Sequence, residues 1–156
     1  MSAVSSFMSN TQGVTSPAPR DLWRQMIGTS PDAMPGQTPE WIDAICATGG
    51  YADASRLYRT TDGRLLLMPM VARKRLPPAL STAASPPHAW GFGGVVTERA
   101  IHADEIAFVL SDIIRLPYLQ IAIRPNPLEA HTWEVAAKDF HFIRLPRLAH
   151  VLNLEG

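Results

Sequence analysis

One cysteine, Cys46, occurs in 156 residues. A lone thiol excludes an internal disulfide and a cysteine-built zinc site. Its place on the apolar side of an expected helix marks it as a buried bystander rather than a nucleophile, in a reducing compartment. Net charge is missing as well: fourteen basic and fourteen acidic residues cancel. No field remains to draw in DNA or an anionic membrane. Long apolar runs are absent too. The longest, Leu65 to Ala72, is strand-sized and contains Pro69, far below the ~20 residues of a membrane span. The N-terminus has no basic segment followed by an apolar one, so no secretory signal is read. The chain is therefore expected to be soluble and cytoplasmic, with no membrane span.

Catalytic signatures are equally scarce. There is no phosphate loop, no dinucleotide fingerprint and no Gly-x-Ser-x-Gly elbow. The histidines His88, His102, His131, His141 and His150 are scattered, without the spacing of a metal motif. No metal site and no catalytic residue are assigned. Of the five, His150 is expected to be partly buried, because it shares a strand side with Leu148, Leu152 and Leu154.

Turning to what is present, 46% of the residues are hydrophobic and the length suits one domain, able to bury about two-thirds of its unfolded surface. Residues 1–19 carry Ser, Thr, Ala and Pro without periodicity and read as a disordered tail. From Asp21 a short helix places Leu22, Trp23, Met26 and Ile27 on one side. A second helix begins at Thr38-Pro39-Glu40, where a capping hydroxyl, a proline and a carboxylate each suit the first turn. Gly49-Gly50 ends it. Ser55–Thr60 and Leu65–Arg73 read as strands joined by the Asp62-Gly63 hairpin turn. The second strand is apolar on both faces and so central, with a bulge or splay expected at Pro69. Arg73-Lys74-Arg75 then closes it as a solvated charge run.

The clearest helix spans 102–116, with Ile106, Val109, Leu110, Ile113 and Ile114 on one face, stopped by Pro117. A strand over 118–124 and a short helix from Asn126-Pro127 follow, and 140–145 and 148–154 read as two more strands. The expected fold class is mixed α/β, an α+β mixed sheet with helices packed on it.

The stretch Ser85 to Val96 holds three glycines, two prolines, Trp90 and Phe92. Gly93-Gly94 permits either unusual backbone angles or a close approach. Two readings stay open, a loop plugged into its own core and a wall of a substrate cleft. Arg124 and Asn126 stand at a strand end, where open α/β sheets bind ligands. Arg124 suits either a structural ion pair or an anionic ligand; Asn126 suits a helix cap or a presented amide.

Several segments together resemble the FemAB-like acyltransferases, relatives of the GNAT acetyltransferases built from two GNAT-like halves. They are Gly36-Gln37-Thr38-Pro39-Glu40-Trp41, Leu57-Tyr58 with Asp62-Gly63, Leu67-Met68-Pro69-Met70-Val71, Ser85-Pro86 followed by Gly93-Gly94, the helix and strand through Arg124, and His150-Val151-Leu152-Asn153-Leu154. The resemblance runs from about Gln37 to the end. It implies that 20–156 is a GNAT-like domain, the first half of a longer two-half protein. Such a half would help transfer an acyl or aminoacyl group to a small-molecule amine, with Trp90, Gly93, Gly94, Arg124 and Asn126 on the acceptor side. Acetyl-CoA, another acyl-CoA or aminoacyl-tRNA would serve the complete protein, held by the second half or a partner chain. No cofactor is expected on this segment, which alone would be inactive, because the Arg/Gln-x-x-Gly-x-Gly/Ala loop of GNAT enzymes is absent. The lysine that peptidoglycan-bridge members carry after the helix-opening tryptophan is also missing, with Asp43, Ala44 and Ile45 there instead. The rival expectation is a non-catalytic α/β domain that binds a ligand or docks a partner.

Overall fold

The structure, a computed structural model, describes residues 11–146 and 148–150. It is mixed α/β, but two sheets stand where one central sheet is expected. A three-stranded antiparallel sheet has the order β1-β3-β4, from Thr11–Thr15 (β1), Arg56–Thr60 (β3) and Leu65–Met68 (β4). A four-stranded sheet has the order β2-β5-β6-β7, from Tyr51–Asp53 (β2), Val71–Arg73 (β5), Thr82–Ser85 (β6) and Gln120–Ile123 (β7).

Pro69 is the reason for the division. The long strand expected over 65–73 is two strands in different sheets, because proline has no N–H to continue a ladder. The partner strand crosses with it, from β2 to β3 through Ala54-Ser55, where Ala54 N donates to Met70 O at 3.0 Å. Within the first sheet, β3 and β4 are covered on both faces, as their apolar composition implies. Tyr58, Leu66 and Met68 enter one core cluster, and Leu57 and Leu67 enter another.

The N-terminal region departs from expectation. Thr11–Thr15 is not a disordered tail but an antiparallel partner of β3, pairing Val14 with Tyr58 and Thr15 with Leu57. Its weak hydrophobicity hid it, since the ladder is supplied by the edge of β3 rather than by a buried face. Ala18 is also buried, its N–H donating to Ser55 Oγ at 3.0 Å.

Helix α1 (Arg20–Thr29) and helix α2 (Pro39–Ala47) pack Trp23, Met26, Ile42 and Ile45 against Leu57, Leu67, Val71 and Val96. Thr38 caps α2 as its sequence requires, its hydroxyl accepting from Trp41 N at 3.3 Å. Helix α3 (Ala103–Ile113) and the short α4 (Ala130–Ala136) cover one face of the four-stranded sheet through Ile106, Val109, Leu110, Ile113, Trp133 and Ala136. Full burial of such side chains stabilises by roughly 1.5–3 kcal/mol each. Arg56 and Tyr58 both donate to Asp112, at 2.8 Å each, tying β3 to α3. Burial, and the Asp112 charge beside it, push the Tyr58 hydroxyl well above the usual phenol range, so it stays a donor.

Two expected strands are not formed where the chain is described. Residues 140–146 and 148–150 have no ladder partner, and the remainder of the expected 148–154 strand lies outside the described residues. Asn126-Pro127 does open a helical segment, beginning as a single 3-10 turn, Pro127–Glu129. Among the described residues no helix is long and apolar enough to cross a membrane.

Gly93 offers a direct test of the packing. A Cβ there would lie 2.6 Å from Ser85 Oγ and 2.7 Å from Ser85 C. Gly93→Ala should destabilise by roughly 1–3 kcal/mol through overpacking against backbone, read from urea denaturation midpoints. Gly28→Ala, with nothing within 4 Å of the added methyl, should be neutral or slightly stabilising. Equal effects at both positions would contradict this packing.

Candidate functional site

The glycine-rich stretch runs between β6 and the end of β7. Gly93 N donates to Arg124 O at 2.7 Å. Gly93 O accepts from Asn126 N and from Gln37 Nε2, each at 3.0 Å. Gly94 has φ of +88°, a conformation that favours glycine, and its N–H donates to Ser85 Oγ at 3.2 Å. A Cβ on Gly94 would meet Trp133 at 3.1 Å and Pro125 Cα at 3.2 Å. The close approach read from the sequence is real, but what approaches is the chain itself.

Asn126 belongs to the same joint. Its Oδ1 accepts from Leu128 N at 3.0 Å, and its Nδ2 donates to Asp32 O at 2.7 Å. It is a cap and a loop tether together, 1% exposed. Trp90 lies apart, half-buried against the α1–α2 cluster. Its carbonyl accepts from Trp41 Nε1 at 2.8 Å, and the two rings meet edge to face with centroids 6.1 Å apart. Of the five residues read from the sequence, the structure brings Gly93, Gly94, Asn126 and the Arg124 backbone together.

Of the five, Arg124 lines a groove. The face of the four-stranded sheet opposite α3 and α4 carries Tyr51, Asp53, Val71, Arg73, Thr82, Ala84, Gln120, Ala122 and Arg124, as the strand registers require. Val71 is covered by the α1–α2 cluster, and Asp53 is ion-paired with Arg20 at 2.9 Å. What remains is a groove of about 310 Å³. Thr82, Ala84 and Ala122 form a floor of small side chains, and Tyr51, Arg73, His88, Gln120 and Arg124 stand around it. Arg124 is held there by Pro86 O at 2.9 Å and faces His88 Nδ1 at 3.1 Å. A guanidinium only donates, so His88 Nδ1 is the acceptor in that contact. Arg73 lies over the Tyr51 ring at 5.3 Å.

Sequence reasoning had no signal for Arg73 or His88 as members of one site. Arg73 looked like part of a solvated charge run, and His88 like one of five scattered histidines. Only the pairing of β5 with β6, and of β6 with β7, places them together. His150, by contrast, is exposed and lies in no strand, against its expected partial burial. Without a ladder at 148–150 there is no sheet to cover it. Among the described residues no group of three metal-ligating side chains occurs.

One carboxylate has an altered acidity. Burial pushes the Glu129 carboxyl up to about 7, with a smaller upward push from the Asp32 charge. Trp133 Nε1, which donates to Glu129 Oε2 at 3.4 Å, acts in the opposite direction. Glu129 is not among the groove's lining residues. The folded packing around it, which no local sequence signal announces, supplies the burial.

No protein-family model matches the chain, and no curated protein or solved structure matches it.

The Glu129 shift has a definite sign. The folded state holds the proton more tightly than the unfolded state, whose carboxyl keeps its ordinary value near 4.5. The stability from this group is fully present below about pH 4.5 and falls as pH rises toward about 7, then levels off. Glu129→Gln should flatten that segment of the stability-versus-pH curve, measured by denaturant midpoints at half-unit steps. An unchanged slope in the variant would remove Glu129 as its source.

Proposed function

We propose that the chain is the acceptor-side half of a FemAB-like, GNAT-type acyltransferase. The observation that carries this reading is the open face of the four-stranded sheet. Helices α3 and α4 cover one side only, and the groove on the other runs along parallel β6 and β7, from Thr82 and Gln120 at their starts to His88 and Arg124 beyond their ends. In open α/β sheets the crevice beyond such strand ends is where ligands bind. A second GNAT-like half, or a partner chain, would close over this face and bring the donor. A cytoplasmic setting goes with either donor class, an acyl-CoA or an aminoacyl-tRNA.

The chemistry asked of this wall is modest. An uncharged amine attacks the acyl carbonyl carbon, the CoA thiolate or the tRNA ribose oxygen departs with its bonding pair, and the nitrogen's extra proton passes to a base. Most of the acceleration comes from alignment of donor and acceptor, with a smaller factor from proton removal. Arg124, fixed by Pro86 O, and Gln120 on the same strand would orient the acceptor. The base belongs to the covering half. Among the described residues the groove lining contains no carboxylate, which equally favours a second reading, a ligand-binding domain without catalysis.

The complete protein tests both. Arg124→Ala should raise the acceptor KM about tenfold, the loss of one charge-assisted contact, with a smaller effect on kcat. Unchanged KM would take Arg124 out of the acceptor site. Calorimetry with acetyl-CoA on the 156-residue chain should show no binding, because the pyrophosphate loop is missing. A complete protein that binds acceptor but transfers no acyl group from either donor class would support the non-catalytic reading.

A further inference from the structure

Exposed leucines scattered singly need no explanation, but one end of the four-stranded sheet gathers them. At this end β5 finishes, β6 and β7 begin, and β2 begins beside the last residue of β5. Two loops are joined there. Leu119 N donates to Ser81 O at 2.9 Å, and Ser81 Oγ donates to Arg73 O at 2.9 Å. Leu76 and Leu80 stand on the loop between β5 and β6, Ile114 and Leu119 on the one between α3 and β7. Each of the four is more than half exposed. Pro77 and Pro78 stiffen the first loop. Leu80 N and Ser81 N, donating to Pro77 O and Pro78 O at 2.9 Å each, close it into a 3-10 turn, Pro78–Leu80.

Charge is as uneven here as hydrophobicity. Lys74 N donates to Gly50 O at 3.2 Å, which brings a third segment to the same end. The segments 44–52, 72–84 and 113–123 contain Arg73, Lys74, Arg75 and Arg115, and no aspartate or glutamate. Asp112, one residue before the last of them, is engaged by Arg56 and Tyr58. Lys74 and Arg75 are exposed, and neither is in an ion pair among the described residues. The neutrality of the whole chain describes the sum of its charges and not their distribution.

A peptide partner docks in a groove or along a free strand edge. Here β5 lies between β2 and β6, and β6 between β5 and β7, so the loop joining them offers a peptide no ladder. A lipid surface needs neither. Apolar tips enter the headgroup region while the cations behind them stay at the level of the phosphates. We infer that this end of the sheet docks on an anionic membrane surface. Leu76, Leu80 and Leu119 enter the boundary between headgroups and acyl chains, and Lys74 and Arg75 face the lipid phosphates. So few apolar and basic side chains give a reversible attachment. Such docking is independent of acyl transfer.

Co-sedimentation of the 156-residue chain with vesicles tests this, using phosphatidylcholine alone and phosphatidylcholine mixed with phosphatidylglycerol. The chain should pellet with the mixed vesicles, pellet far less with phosphatidylcholine, and be released as salt rises. Lys74→Gln and Arg75→Gln should each weaken binding about fivefold, the effect of one basic residue near an anionic surface. The double variant Leu76→Ser with Leu80→Ser, which keeps the charge, should weaken it about tenfold or more. Leu128→Ser removes a leucine as exposed as Leu76, but beyond the other end of β7, and should bind as the parent does. No binding to the mixed vesicles, equal binding to both kinds, full binding by the leucine double variant, or an equal loss in Leu128→Ser would overturn the inference. Retention on immobilised polyglutamate without vesicle binding would overturn it too, and would assign this end to an acidic polypeptide.

Discussion

Gly93 is the point at which separate parts of the chain are locked together. Its N–H and C=O serve Arg124, Asn126 and Gln37 at once, and Ser85 occupies the space a side chain would need. Each hydrogen bond alone contributes about 1 kcal/mol. Their weight lies in joining the loop before α2, the end of β6 and the end of β7 at one backbone unit. Gln37 extends the joint, since its own carbonyl accepts from Trp23 Nε1 at 2.8 Å and its Oε1 accepts from Met34 N. Asn126 extends it on the other side by reaching Asp32 O. The end of β7, and therefore the base of Arg124, is fixed by this joint.

Pro69 makes the second decision. By ending β4 it lets β5 leave the first sheet and pair instead with β2 and β6. The first sheet is then covered on both faces, while the second keeps one face for α3 and α4 and leaves much of the other open. Had the strand continued, Arg73 would extend the same ladder as Leu65 and would not face β6. The open groove is thus a consequence of one missing N–H as much as of the residues that line it.

The helices were legible because their ends carry local chemistry. Thr38-Pro39-Glu40 caps one helix, and the spacing of Ile106, Val109, Leu110 and Ile113 marks the buried face of another; neither depends on distant residues. The strands were legible where they are apolar or flank a marked turn such as Asp62-Gly63. Leu65 to Met68 announces itself, whereas Thr82-Ala83-Ala84-Ser85 has weak strand propensity and is a strand because β5 and β7 pair with it on both sides. Val14 and Thr15 escaped notice for the same reason. At the site, Arg124 could be picked out because it ends a recognisable strand. Gly93-Gly94 could be recognised as a place of close approach, but not what approaches, since Ser85, Pro125 and Trp133 come together only through the tertiary fold. Arg73 carried no local mark at all.

The distribution of charge follows from the same geometry. Arg20 pairs with Asp43 and Asp53, Arg24 with Glu40, Arg56 with Asp112 and Arg64 with Glu105. These pairs join elements distant in sequence. The exposed ones among them contribute little to stability. Their larger effect is on placement: they hold carboxylates at the α1–α2 side and on α3. With Asp53 ion-paired to Arg20, the described residues that line the open sheet face include Arg73 and Arg124 and no acid. A chain with no net charge can therefore carry its charges unevenly, because each pairing is decided by where the fold brings two side chains together.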